Sequence, residues 1–314
     1  MKNLGARIMV AVFLGVVLPA LALKILTTLH TTEPMPQVEV EKKYMIPVVD
    51  GEEKTEMMEL ETYVTAVVLA EMPADFDSEA LKAQAVVART YALRRCSLAD
   101  KHDRGAVCTD AKCCQAFCKP ESYLTNGGTI DQLQKVGTAV MATQNQVLVY
   151  DGELIEATFF ACSGGCTEDA VAVWGTDIPY LQATNSPGEE TADTYLQTQQ
   201  FSRSQFAACL GISEDSLVGN FIGPVTYTRG GGVESAMIGD QTYTGIELRQ
   251  KFGLNSTALW ITAIGDTITI TTRGHGHRVG MSQYGADAMA RQGSDYKQIL
   301  AHYYQSTNLT QWNG

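Results

Sequence analysis

"AVVLAEMPADFDSEALKAQAVVARTYALRR", residues 66–95, is the stretch from which the fold is read. Just upstream and into it, Leu60, Val64, Val67 and Val68 recur at helical spacing over Glu59–Glu71 and predict a helix. Pro73 ends that helix, because the residue before a proline is pushed out of the α region. Asp77 or Ser78 can cap a second helix that runs to about Arg95. Leu81, Ala85, Ala88 and Ala92 form its buried stripe, and the alanines let a neighbouring element come close. Lys82 and Arg89 lie two turns apart and share another face, by default a solvated one.

Toward the N-terminus the signal changes. Lys2 and Arg7 precede an apolar run from Ile8 to Leu23, followed by Lys24. No convincing small-residue cleavage site precedes a polar stretch, so residues 1–26 read as an uncleaved single-pass anchor. The positive charges before the span keep the N-terminus in the cytoplasm. Everything after it is then expected outside the cytoplasmic membrane. Residues 27–44, with Pro34, Pro36 and mixed charge, read as a linker. The extracytoplasmic domain is expected over residues 45–310.

Toward the C-terminus the elements are unlike one another. "YMIPVVD" reads as a short strand near the start of the domain. A helix is expected around Gln132–Thr143, strands at Gln146–Tyr150 and Leu154–Phe160, and a short helix at Ser204–Leu210. Gly223–Thr272 is β-rich, and a final helix is expected over Ala286–Tyr304. This mixture predicts an α+β fold, with helical and β-rich lobes around a substrate cleft. The net charge of −12 over 314 residues argues against nucleic acid as the main partner.

Four groups of residues could carry chemistry. Glu71 stands in the last turn of the first helix, where the negative end of the macrodipole disfavours an ionised carboxylate. Partial burial would raise its pKa further. A carboxyl held protonated near neutral pH is what a glycosidase acid requires, although local sequence alone fits an ordinary surface glutamate at a helix end better. The second group is His102, Cys108, Cys113 and Cys114, with Cys118 nearby. It suits a tetrahedral metal, while an extracytoplasmic address leaves disulfide pairing open. The third is Cys162-Ser163-Gly164-Gly165-Cys166: a small disulfide loop, two free thiols, a catalytic cysteine served by His275 or His277, or a turn whose backbone approaches a sugar closely. The fourth is the loop Gly274–Gly285, where His275, His277, Ser282, Gln283 and Tyr284 supply polar and stacking groups between glycines.

These segments resemble, in order, the three motifs of the stage II sporulation protein D family. The first is the quoted stretch; the others are "ACSGGCTEDAVAVWGTDIPYL" and "GHGHRVGMSQYGADAMA". The likeness spans about residues 55 to 305. It implies that Glu71 is the catalytic acid. It implies that Lys82, Gln84, Arg89 and Tyr91, with Ser163, Gly164, His277, Ser282, Gln283 and Tyr284, shape the substrate cleft. It also implies a structural zinc on His102, Cys108 and Cys114, with Cys113 standing where a histidine is expected and Cys118 as the substitute ligand. Arg278 replaces a usual glycine, and His275 a usual aromatic.

The resemblance further implies the reaction and its setting. The chain is expected to be a lytic transglycosylase of cell-wall remodelling during engulfment in sporulation. Its substrates would be peptidoglycan glycan strands already stripped of peptide, cut to 1,6-anhydro products with no second carboxylate needed. Its partners would be the sporulation cell-wall amidase and a membrane scaffold protein, met in the intermembrane space of the sporulating cell. A zinc in a closed four-ligand shell would be structural, so residual activity without it is expected to follow the folded fraction. Two other readings compete: a noncatalytic activator of a wall amidase, and a zinc hydrolase, which the filled ligand shell disfavours.

Overall fold

The computed structural model describes residues 43–51 and 54–313. The anchor expected at residues 1–26, and nearly all of the linker, lie outside the described residues. Among the described residues no helix is long and apolar enough to cross a membrane. The fold is α+β, with helices packed among several small sheets.

The chain opens with β1 (Met45–Val49), which pairs antiparallel with β2 (Thr55–Glu59). Helix α1 (Leu60–Glu71) follows without a break. As Pro73 demands, Met72 is extended, at φ −127 and ψ 133. Asp77 caps α2 (Ser78–Leu98) by accepting the Glu79 amide at 2.9 Å. The Asp77 amide itself is held by Asp287 at 2.7 Å. α2 ends where Ala99 turns left-handed.

After α2 come β3 (Val107–Cys108), parallel to β1, then α3 (Pro120–Thr125) and α4 (Ile130–Ala142). A reciprocal capping box between Thr129 and Gln132 starts α4. Strand β4 (Gln146–Tyr150) pairs with β5 (Glu153–Leu154), so the single strand expected over 154–160 is two short pieces, the second being β6 (Phe159–Phe160). A short helix α5 (Ala170–Trp174) ends on left-handed Gly175.

The β-rich part then folds around its own core. Strand β7 (Leu196–Ser202) leads to α6 (Arg203–Leu210), then β8 (Ile222–Tyr227), β9 (Val233–Ile238), β10 (Gln241–Tyr243), α7 (Gly245–Phe252), β11 (Leu259–Ile264) and β12 (Thr267–Arg273). Two antiparallel sheets result, ordered β10-β9-β8 and β11-β12-β7. Phe206 stacks on Phe252 with ring centroids 4.7 Å apart, over buried Leu210, Leu248, Ile268 and Ile270. The helix α7 was not expected in a β-rich stretch. It is short, and its start depends on a capping box of its own, Thr244 with Glu247.

The chain returns to the first core through β13 (Met281–Ser282), parallel to β6, and α8 (Gln283–Arg291). The long final helix expected over 286–304 is two helices. Gly293 takes φ +97, and Asp295 with Gln298 boxes the start of α9 (Tyr296–Tyr303). Strand β14 (Asn308–Gln311) closes on β4. The main core therefore centres on α2, which packs against α1, α4, β4, α8 and α9. That explains its alanines: Ala80, Ala83, Ala85, Ala88 and Ala92 are fully buried and admit neighbours from several sides.

Candidate active site and metal cluster

Glu71 is the last residue of α1, half-buried, with no basic residue in that final turn. Its Oε1 accepts the backbone N–H of Ala116 at 2.6 Å. Burial pushes its carboxyl above the ordinary glutamate value, and the Ala116 hydrogen bond pulls partly the other way. The helix C-terminus adds its negative potential to the effect of burial. Among the described residues Glu71 has no ion-pair partner. Such a carboxyl keeps its proton to higher pH than an ordinary glutamate does.

Aromatic contacts tie this helix end to the other two motifs. Phe76, in the turn after Pro73, meets the Tyr284 ring edge-on at 5.0 Å. The Tyr284 amide donates to Ala161 O at 3.0 Å, in the loop leading to Ser163. His277 packs between Phe160 at 5.6 Å and Trp174 at 5.5 Å. Its Nδ1 accepts the Val279 amide at 3.1 Å. Burial, aided by the charge of Arg249, drops the His277 pKa to about 4, so its imidazole is neutral at physiological pH.

Several residues expected to touch substrate are turned inward. Arg89 is fully buried: its Nε and Nη2 donate to the Glu61 carboxylate at 2.8 and 2.5 Å, and Nη1 donates to Gln146 O at 3.1 Å. It bolts α2 to α1 and β4 and presents nothing to a cleft. Gln84 is fully buried, with neither amide atom partnered. Lys82 is partly exposed, but its charge is taken by Glu79 at 2.6 Å. The Tyr91 hydroxyl accepts from Lys101 Nζ at 2.8 Å, and Lys101 also donates to the Cys113 carbonyl. Tyr91 thus tethers the cysteine-rich segment.

Ser163, Gly164 and Ser282 converge on a residue with no pattern in sequence to mark it, Glu189. This buried carboxylate accepts the Ser163 hydroxyl and the Gly164 amide at 2.8 Å each on Oε2. Oε1 takes the Ser282 hydroxyl at 2.5 Å and that of Ser186 at 2.6 Å. The two serines and the glycine turn are therefore spent on holding the second and third motifs together. Gln283 is buried and its Nε2 lacks a partner. Of the residues expected in the cleft, Lys82, His277 and Tyr284 stay partly accessible.

Arg278 is the second unforeseen keystone. It stands at φ +67, a left-handed conformation that favours glycine. Its buried guanidinium donates to Ser163 O, Cys166 O and Gly230 O and pairs with buried Glu168 at 3.2 Å. Those bonds hold an arginine where the backbone would prefer no side chain.

The ligand atoms of His102, Cys108, Cys113 and Cys114 all lie within 4.8 Å of one another. His102 Nε2 is 3.3 Å from Cys113 Sγ, and Cys113 Sγ is 4.0 Å from Cys114 Sγ. Donors around a tetrahedral zinc sit about 3.5–3.8 Å apart, given Zn–S near ~2.3 Å and Zn–N near ~2.0 Å. The spacing fits a metal ion. Burial first, then the neighbouring thiols, push Cys114 up to about 12. Crowded thiols of this kind become thiolates readily only around a cation, which inverts the local electrostatics. Cys118 is not in the cluster; its thiol points to the Lys119 carbonyl at 3.6 Å.

None of the eight cysteines forms a disulfide. Cys162 donates its S–H to Glu189 Oε2 at 3.3 Å, and burial with that carboxylate lifts its pKa to about 12. A protonated, buried thiol is not a nucleophile, which removes the catalytic-cysteine alternative.

Comparison with known proteins agrees with the family resemblance. A family profile described as Stage II sporulation protein matches residues 48–150. Stage II sporulation protein D of Bacillus subtilis (strain 168) is 40% identical over 265 residues, covering 82% of this chain and 76% of that protein. The protein of the same name from Bacillus amyloliquefaciens is 40% identical over 263 residues, covering 82% and 75%. The amidase enhancer of Bacillus subtilis (strain 168) is 30% identical over 295 residues, covering 77% of this chain but 39% of that longer protein.

Proposed function

The chain belongs to the stage II sporulation protein D family, and on that premise we propose that it is a lytic transglycosylase of the sporulating cell wall with Glu71 as its single acid–base group. The observation that carries this reading is the carboxyl of Glu71: raised by burial, placed at a helix C-terminus, and without a charged partner. The substrate is the β-1,4 bond between N-acetylmuramic acid and N-acetylglucosamine in peptide-stripped strands. Protonated Glu71 donates to the bridging oxygen as the C1–O bond breaks. The resulting carboxylate takes the proton of the muramic 6-hydroxyl as O6 closes on C1, giving a 1,6-anhydro ring. An internal nucleophile needs no second carboxylate to activate water, unlike the paired acids of ordinary glycosidases.

The cysteine–histidine cluster would hold zinc, whose binding stabilises the segment that carries Ala116. The Phe76–Tyr284 contact ties the third motif to the turn that follows Glu71, and His277 stands neutral between Phe160 and Trp174. The protein is anchored in the membrane by residues 1–26 and works outside it. There it follows an amidase that strips the stem peptides and is held by a membrane scaffold.

The test is Glu71→Gln. A lost proton donor lowers cleavage of purified stripped strands by about 10²–10⁴-fold, with an unchanged unfolding midpoint. Cleavage near the wild-type rate in a folded variant would remove Glu71 from the chemistry and favour the amidase-activator reading.

A further inference from the structure

A cleft of about 530 Å³ lies between the glycine turn of the second motif and the β-rich sheets. Gly164, Gly165, Cys166 and Asn185 form one wall. Tyr227, Arg229, Trp260 and Arg273 form the other. No residue of this second wall belongs to the three motifs, and the proposed cleavage step uses none of them. The volume falls in the range of small-ligand sites.

The three arginines of the cleft differ in one respect. Arg278 is neutralised by Glu168, and Arg229 is bound by Asp169 and Gln182. Arg273 has no carboxylate partner among the described residues. Its guanidinium lies over the Trp260 ring at 5.7 Å from the centroid. Its side-chain stem runs against Gly164, where a Cβ would approach it to 2.8 Å, so only glycine leaves it that course. Trp260 and Tyr227 are 39% and 54% exposed. An accessible flat ring beside an unpaired, planar double donor matches a ring-shaped ligand that carries one carboxylate.

We propose that this cleft binds an acidic N-acetylated sugar through its free carboxylate, with Arg273 on the carboxylate and Trp260 under the ring. The inference rests on the transglycosylase reading and gives its substrate preference a physical basis. In a strand that still bears peptides, the lactyl carboxylate of muramic acid is tied up as an amide and carries no charge. Removing the peptide exposes the carboxylate. Arg273 therefore tells a stripped strand from an unstripped one, in a cleft that Glu71 does not line.

The probes are three purified glycans of equal length: peptide-stripped strands, strands with stem peptides, and neutral chito-oligosaccharides. The full chain carrying Glu71→Gln binds them without cutting, and Trp260 fluorescence or calorimetry reads the affinity. Stripped strands are expected to bind about tenfold more tightly than either of the others, the worth of one charge-assisted hydrogen-bonded pair. Adding Arg273→Gln abolishes that preference and leaves chito-oligosaccharide binding unchanged. Adding Trp260→Ala weakens all three. Both side chains are accessible, so unfolding midpoints should stay put. Equal binding of stripped and peptide-bearing strands, or a preference that survives Arg273→Gln, overturns this site while leaving the transglycosylase reading intact. A folded protein that binds none of the three overturns both.

Discussion

The Ala116 amide donates to Glu71 Oε1 at 2.6 Å, and Ala116 lies two residues beyond Cys114 of the metal cluster. The segment that closes around the cluster is thus the segment that orients the proposed acid. This revises the expectation that activity without metal would only follow the folded fraction. Cys114→Ser should lower metal content and the unfolding midpoint together, because structural zinc binding is folding free energy. Activity per folded molecule should also fall, because the Ala116 amide is no longer held in place. Metal content by elemental analysis, the thermal midpoint and the cleavage rate are measured on one preparation. A metal-free variant with a normal midpoint and full activity would contradict the link.

The raised carboxyl of Glu71 sets a pH dependence. An acid catalyst must carry its proton, so kcat/KM falls as pH rises through the folded-state pKa. Burial raises that pKa, so this limb should lie above the value of an ordinary glutamate. By linkage the folded state then binds the proton more tightly than the unfolded chain. Glu71's contribution to stability therefore declines as pH rises from the unfolded value through the folded one. A pH–rate profile on stripped strands checks the sign, and a limb at or below the ordinary glutamate value would be inconsistent with it.

Arg89 should prove structural. Arg89→Leu leaves Glu61 buried without its partner, at a cost of about 3–5 kcal/mol. Glu61→Leu combined with Arg89→Met should recover much of that loss, because the pair leaves together. Denaturant unfolding gives the energies, and KM of the folded fraction should stay at the wild-type value. A raised KM with undiminished stability would return Arg89 to the cleft.

Arg278→Gly sets two effects against each other. Glycine relieves a left-handed backbone by about 1–2 kcal/mol. It also strips buried Glu168 of its cation, at about 3–5 kcal/mol. The second effect is larger, so the variant should be less stable than the wild type. A more stable Arg278→Gly protein would show that the arginine is a burden rather than a keystone.

The helical core could be read from sequence because its signals are local. Pro73 stops α1, Asp77 starts α2, and the alanine stripe announces close packing. The break between α8 and α9 was also written locally, in Gly293 and the Asp295–Gln298 box, but the apolar pattern runs across it. What sequence hid are partners distant along the chain. Helical spacing put Arg89 on a face with Lys82, yet Glu61 on α1 draws it inward. Glu189 sits in a loop with no periodicity, so nothing local shows that it gathers Ser163, Gly164 and Ser282. The candidate metal ligands were legible as residue types, while the exclusion of Cys118 from their cluster needed the fold.

The central claim is that Glu71 closes an internal ring rather than activating water. Mass spectrometry of the ends released from purified, peptide-stripped strands tests it directly. The account predicts 1,6-anhydromuramic ends, each lighter by one water than a reducing end, from the wild type and none from Glu71→Gln. Reducing ends as the chief product would contradict it, making the enzyme a hydrolase with a second carboxylate at work.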